Sequence, residues 1–176
     1  MAGVTVTTPP TIEPLTAADI KTYCRVQDDD DLDILLMMGK TARQFCEEFT
    51  NRALVTQTLT MFIDAIEDSD DPLFEGIRTG PYLNYYKNYI VLSRAPVQSV
   101  TSVHTFDDAD NATLFANTKY FVDNSREPAR IVLRTGETFP VALRVANAIK
   151  VVYKVGYSTM SLVPEPLKLG MLMHVA

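Results

Sequence analysis

The two histidines are the first side chains to examine for chemistry, because imidazole is a common metal ligand and proton carrier near neutral pH. His104 lies in an alternating apolar stretch and His174 lies near the end of the 176-residue chain. Neither has a second ligand at the spacing of a metal site. The sequence also lacks a Gly-rich phosphate loop and the G-x-S-x-G, C-x-x-C and H-E-x-x-H motifs. We therefore expect no catalytic residue, no metal and no cofactor.

Clustered carboxylates are the other candidates for cation chemistry. The run 28–33 (DDDDLD) has Asp33 and Gly39 where a twelve-residue calcium loop needs glycine and glutamate. Residues 107–111 (DDADN) are types that favour turns, so we interpret them as a hairpin turn rather than a weak cation site. A small hydrolase with an unrecognised carboxylate site is one remaining alternative to a non-enzymatic role.

The helical pattern around the acidic run predicts a hairpin of two helices. The first begins at Thr16, which with Asp19 resembles a capping box. The second runs from about Asp31 to Phe49 and ends at Asn51, a residue that tolerates the left-handed conformation. We expect the acidic run to cap this second helix. Its predicted apolar face carries Leu32, Leu35, Gly39, Ala42, Cys46 and Phe49.

Cys24 and Cys46 fall on the apolar faces of these two helices. Free cysteine behaves as a small hydrophobic residue, so we expect two buried thiols. A disulfide would require an oxidising compartment, and the first residues do not resemble a signal peptide. The sequence contains no apolar run of about 18 residues, so we expect no membrane span.

After Asn51 the apolar period changes to two, which predicts β-strands. Six short strands separated by turn residues favour a small antiparallel sandwich or barrel. The acidic stretch 66–88 is a long excursion of the kind that often carries an interaction loop. The predicted strands are 55–63, 89–92, 100–106, 119–122, 129–133 and 148–157.

The chain closes with a predicted helix from Glu165, because proline and glutamate suit a first helical turn. We predict an α+β fold with the N-terminal helical hairpin and the C-terminal helix packed together and the β-strands inserted between them. A flexible arm over 1–14 precedes a single domain over 15–176. Its parts are helices at 16–50, a β insertion at 53–157 and the C-terminal helix at 165–176.

The charge distribution argues against a protein that grips nucleic acid, since 16 basic and 22 acidic residues give a net charge of −6. Acidic residues concentrate in 61–80 and basic residues in 123–157. Such asymmetry suits head-to-tail contacts between copies, and a solvated mixed surface is the alternative. The predicted subunit contacts are Asp68, Asp70 and Asp71 with Arg130, Arg134 and Arg144.

A series of segments, taken in order, resembles the head-tail connector proteins of tailed bacteriophages and gene transfer agents, also called adaptor or head-completion proteins. The stretch 66–88 is longer than this resemblance leads us to expect. The segments are PLTAADI (14–20), YCRV (23–26), DLDILL (31–36), AR (42–43), EFTNRALVTQT (48–58), IVLSRAPV (90–97), SVTSV (99–103), YFVD (120–123), EPARI (127–131), VGY (155–157) and VPEPLK (163–168).

The resemblance implies a structural subunit in the virion neck, assembled in the host bacterial cytoplasm and without a membrane partner. It implies a homo-oligomeric ring of about a dozen copies. The portal protein would lie above the ring and a tail-side stopper or tail-terminator protein below it. DNA would pass through the channel without specific binding, and an acidic wall would suit that passage. The alternative is a soluble assembly or DNA-packaging factor that is absent from the mature particle.

The apolar C-terminal helix is a candidate for docking on the portal, because amphipathic helices commonly bind in grooves. We predict that Leu167, Met171 and Leu172 face such a groove. The alternative is that these side chains cover the second helix.

Overall fold

A computed structural model describes residues 3–64, 89–140 and 142–176, which contain three α-helices and eight strands. No helix in these ranges has the length and apolar character needed to cross a membrane. The helices are α1 (Ala17–Cys24), α2 (Leu32–Thr50) and α3 (Glu165–Val175), with short 3-10 helices at Asn117–Lys119 and Met160–Leu162. The strands are β1 (Gly3–Thr8), β2 (Gln57–Ile63), β3 (Tyr89–Val91), β4 (Val97–Phe106), β5 (Ala112–Leu114), β6 (Tyr120–Asp123), β7 (Arg130–Leu133) and β8 (Ile149–Val155).

The strands form two antiparallel sheets, in the orders β1-β2-β8-β4-β5 and β3-β7-β6. Their inner side chains share one core, which includes Leu59, Ile131, Val151 and Tyr153. The mixed helix and sheet class is confirmed. The barrel alternative is wrong, because the described strands stop at open edges in both sheets. The predicted excursion 66–88 lies entirely outside the described residues.

Tyr153 lies at the centre of the β core. Its hydroxyl donates a hydrogen bond to the Ser93 carbonyl at 2.9 Å, and burial raises the pKa of Tyr153 to about 12. Nearby, Gly156 has φ +96°, and a Cβ at this position would overlap the Val55 carbonyl. Only glycine therefore fits where the chain leaves β8.

The three helices pack around a second, smaller core. It contains Leu15, Ile20, Leu35, Ala42, Leu54, Val163 and Met171. A Cβ at Gly39 would lie 2.7 Å from the Ile20 side chain, so this glycine lets α1 approach α2 closely. The N-terminal hairpin and the C-terminal helix thus meet in one apolar cluster.

A buried polar cluster joins the helices to the five-stranded sheet. Glu47 accepts hydrogen bonds from Arg43 at 2.7 Å, from the Leu54 N–H at 2.8 Å and from the Gln57 amide at 3.0 Å. Arg43 also donates to Glu13 at 2.6 Å. Because both buried charges have partners, the cluster is a satisfied network at the junction of the two cores.

The ends of the first two helices differ in how they are capped. At α1 the predicted capping box is confirmed: the Asp19 N–H donates to Thr16 Oγ1 at 3.1 Å, and the Thr16 N–H donates to Asp19 Oδ2 at 2.8 Å. The Thr16 hydroxyl also donates to Asp19 Oδ2 at 2.6 Å, and the hydrogen bonds from the Thr16 side chain and then its backbone N–H lower the pKa of Asp19. At α2 the predicted side-chain cap is wrong, because Asp31 makes no such bond. Asp29 instead pairs with Lys21 at 2.6 Å.

Two strands lie where none was predicted. β1 pairs with β2 along one sheet edge, which differs from the flexible arm predicted for 1–14. Its alternating valines and threonines suit an extended strand, and Thr5 Oγ1 donates to the Thr60 carbonyl at 3.3 Å. β5 is only three exposed residues long, so its sequence carries little periodic signal.

Candidate interaction surfaces

An exposed apolar row runs along α2, beside the helix face that enters the core. Its members are Ile34, Met38, Phe45 and Phe49, whose spacing places them on one face. All four are exposed, Phe45 at 55 % and Phe49 at 83 %. The prediction that Phe49 belongs to the core face is therefore wrong. We call this row the α2 stripe; exposed apolar patches of this kind often mark interaction sites.

His174 on α3 adds an aromatic ring to the α2 stripe. Its imidazole stacks on Phe45 with 4.7 Å between ring centroids, and Phe45 stacks on Phe49 at 6.4 Å. The preceding residue, Met173, is 64 % exposed. His174 is thus a packing partner within an aromatic row that spans two helices.

The side chains predicted to meet a portal lie mostly inside the molecule. Met171 is 1 % exposed in the helical core, and Leu167 and Leu172 pack partly buried against it. This placement agrees with the alternative in which they cover the second helix. Portal binding by this set stays a prediction, and Leu169 and Met173 are the more accessible apolar side chains of α3.

A groove of about 660 Å³ lies between α3 and the segment that leads into α1. Leu172 lies in its wall together with Leu169, Pro14 and Leu15, and its polar rim includes Asp19 and Lys168. The lining is mainly apolar, as in sites that accept another apolar side chain.

The predicted subunit contacts divide into three environments. Arg130 donates to Asp123 at 2.8 Å and lies over the Tyr89 ring, and Arg144 donates to Asp110 at 2.8 Å. Arg134 is exposed and has no side-chain partner among the described residues. Of the three arginines it is the one most available to another molecule. The acidic members lie outside the described residues: Asp68, Asp70 and Asp71.

The outer side of the three-stranded sheet carries both apolar and charged side chains. Tyr89, Val132 and Phe121 lie side by side across β3, β7 and β6, and Val91 faces outward in the next row. Phe121 and Val91 are nearly half exposed. Arg130 and Asp123 complete the row of Val91 and pair at 2.8 Å, and Arg130 lies over the Tyr89 ring, so charged groups share this side of the sheet.

His104 on β4 lies opposite Leu114 and Lys150 on the neighbouring strands. Its Nδ1 is buried and has no hydrogen-bond partner in the described chain. Across residues 3–64, 89–140 and 142–176, no three His, Cys, Asp or Glu side chains gather as a metal site would require.

Cys24 and Cys46 are free and half-buried, whereas buried thiols were expected.

The 107–111 segment forms a turn that satisfies its own polar groups. Asp107 accepts hydrogen bonds from the N–H groups of Ala109 and Asn111, each at 2.9 Å. The hydrogen bonds from Asn111 lower the pKa of Asp107. The carboxylate is therefore used within the turn, as the hairpin interpretation predicts.

Comparison with known proteins finds matches among solved structures only. No protein-family model matches the sequence, and no curated protein matches it. Several chains of solved structures match, and three of these matches cover nearly the whole of this chain. One, "Virion of native gene transfer agent (GTA) particle", has a TM-score of 0.70 and 15 % identity, with 98 % of this chain and 81 % of the other covered.

The other two are structures of a particle neck. "Neck of empty GTA particle computed with C6 symmetry" has a TM-score of 0.73 and 18 % identity, covering 99 % of this chain and 81 % of the other. "Neck of native GTA particle computed with C12 symmetry" has a TM-score of 0.65 and 16 % identity, covering 99 % and 80 %. The chain therefore has the fold of a particle protein. More particularly, it has the fold of chains in gene transfer agent necks, and the resemblance found in the sequence is confirmed at this level.

Proposed function

We propose that this chain is a head-tail connector (adaptor) subunit that joins capsid to tail in a particle neck. The observation that carries this proposal is the match of 99 % of the chain to chains of gene transfer agent neck structures. A match of this extent includes both the helices and the β-strands. The role is structural and non-enzymatic.

In this proposal the copies form a ring of about a dozen subunits beneath the portal. The C6 and C12 symmetries of the similar necks support such an arrangement. The portal protein and a tail-side stopper or terminator protein are its partners in the virion. The ring assembles in the host bacterial cytoplasm.

DNA passes through the proposed ring without specific contacts. The net charge of −6 supports this role, because a channel wall that attracted phosphates would slow a sliding duplex. The exposed apolar row on α2 supports assembly with other protein surfaces.

Removal of the chain from producing cells tests the proposal. A connector is needed to join two finished parts, so its loss should leave DNA-filled heads and separate tails visible by electron microscopy. Expression of the chain from a second locus should restore joined particles. Normal joined particles in its absence would contradict the proposal, and empty heads would favour a packaging factor instead.

A further inference from the structure

We propose that the α2 stripe of one copy docks in the groove beside α3 of the next copy around the ring. This inference rests on the proposed ring and names the two surfaces of its repeating contact. The aromatic end of the stripe, Phe45 and Phe49, enters the groove, whose wall includes Leu169 and Leu172. We call this depression the α3 groove.

The α3 groove extends beyond its deepest part. The cavity of about 660 Å³ continues into a shallower one of about 320 Å³, and Asp19 and Leu172 lie in the walls of both. Tyr23 on α1 borders the shallower part and Leu169 the deeper part, and both side chains are exposed. Large apolar side chains therefore border an open depression between α1 and α3.

The aromatic end of the stripe matches the α3 groove in size. Phe45 and Phe49 are four residues apart, which is about 6 Å along α2. Glu165 and Leu172, both in the groove wall, are seven residues apart, which is about 10 Å along α3. Two rings with centroids 6.4 Å apart can therefore enter the groove side by side. Aromatic side chains that fill a pocket on the partner often dominate the binding energy of a protein contact.

The stripe and the groove lie on opposite sides of α3, as ring closure requires. His174 stacks on Phe45 at the stripe, whereas Leu172 lies in the groove wall. Residues two apart differ by about 200° around a helix axis, so these two side chains point about 160° apart. Neighbours in a ring of about twelve are rotated by about 30°, so the two contact surfaces of each copy should face about 150° apart. The two angles agree for a ring in which α3 runs roughly along the ring axis.

The exposed area of the stripe favours a ring over a two-fold dimer. Its four side chains are between 43 and 83 % exposed, which amounts to on the order of 400 Å² at roughly 150–200 Å² per side chain. A stable specific contact buries about 800 Å² on each partner. A dimer of two stripes would bury about half of this area from these side chains and leave the α3 groove open. In a ring every copy makes two contacts, one through its stripe and one through its groove.

Cross-linking of single-cysteine variants tests the contact in assembled particles. The background carries Cys24→Ala and Cys46→Ala. The reporters are Glu48→Cys beside the stripe and Ser161→Cys in the groove wall, two exposed positions that leave the apolar side chains in place. Cells producing both reporter chains supply the particles, which are treated with a short bis-maleimide. Lys154→Cys, exposed on β8, replaces Glu48→Cys in the matched control.

We expect a covalent dimer that contains one chain of each reporter, identified by mass, and little dimer from either reporter alone or from the control. Self-dimers of Glu48→Cys as the main product would overturn the proposal in favour of a two-fold contact. Particles with a normal number of copies but without the mixed dimer would also overturn it. Absence of the wild-type chain from particles would be a failure of the proposed function itself, and the contact would fall with it.

Aspartate substitutions give a second measurement. Phe49→Asp or Leu169→Asp should reduce incorporation into particles by roughly tenfold or more, because each buries a charge in the proposed apolar contact. Val145→Asp is the matched control, because Val145 is an exposed apolar residue outside both surfaces, and it should be incorporated normally. Wild-type incorporation of both Phe49→Asp and Leu169→Asp, with circular dichroism confirming that they are folded, would contradict the contact.

Discussion

The helical part and the β part of this chain use the same kinds of side chain in opposite ways. In the β core, Leu59, Met61, Val151 and Tyr153 are fully buried, and two sheets enclose them. The helical core is smaller, and Phe49 and other large apolar side chains remain outside it. The β part therefore encloses its main core between two sheets, whereas the helical part leaves several large apolar side chains of α2 exposed.

The largest expected effect on stability comes from the buried polar cluster that connects the helical part to the β part. Glu47→Ala should lower the free energy of unfolding by about 3–5 kcal/mol, because it removes the buried carboxylate that pairs with Arg43 and accepts hydrogen bonds from the Leu54 N–H and the Gln57 amide. Urea denaturation measures the change. The adjacent exposed Glu48→Ala is the matched control and should be nearly neutral. Equal effects of the two variants would mean that the cluster does not hold the parts together.

Two methionines on α3 allow a buried and an exposed apolar side chain of the same helix to be compared. Met171→Ala should cost about 2–5 kcal/mol of unfolding free energy, as buried large-to-small substitutions do. Met173→Ala should stay within about 0.5 kcal/mol of the wild type, because its side chain is mostly exposed. Thermal or urea unfolding of the isolated chain checks both. A large loss from Met173→Ala would show that the exposed surface already has an internal role.

The capping box of α1 tests whether local signals stabilise the helical part. Thr16→Ala removes the side chain that accepts the Asp19 N–H, and should lower the free energy of unfolding by about 1 kcal/mol. Thr22→Ala, an exposed position within α1, is the control. No measurable difference between these variants in urea would contradict a stabilising cap.

The smallest expected effect is a pH dependence in the β part. Hydrogen bonds from Ser125 and then Arg130 lower the pKa of Asp123 below its ordinary value of 3.8. A lowered folded pKa contributes stability above pH 3.8, and this contribution is lost as the pH falls through the folded value. The stability difference between wild type and Asp123→Asn should therefore shrink between about pH 5 and pH 2. A constant difference, or a similar trend for exposed Asp108→Asn, would contradict this assignment.

Much of the fold could be predicted because local signals agree with the final structure. The Thr16 cap, the end of α2 at Asn51 and the alternation in 149–155 each reflect short-range chemistry. β1 was missed because a strand held mainly by edge pairing buries little apolar surface. The Arg43–Glu47 pair has the i,i+4 spacing of an ordinary surface pair, so its burial depends on tertiary packing.

The interaction surfaces were harder to predict than the fold. Phe49 fits either of two adjacent faces of α2, and periodicity does not tell which face enters the chain's own core. In the three-stranded sheet, consecutive apolar residues such as those of 131–133 indicate burial on both faces, but not what covers the outer one. The Asp68, Asp70 and Asp71 contacts remain predictions.

The most direct test of the central claim is the copy number of this chain in purified particles, measured by quantitative mass spectrometry against the major capsid protein. A neck ring should give about a dozen copies per particle, whatever the number of capsid subunits. A value near zero in joined, DNA-filled particles would contradict a connector role and favour an assembly factor that leaves before completion.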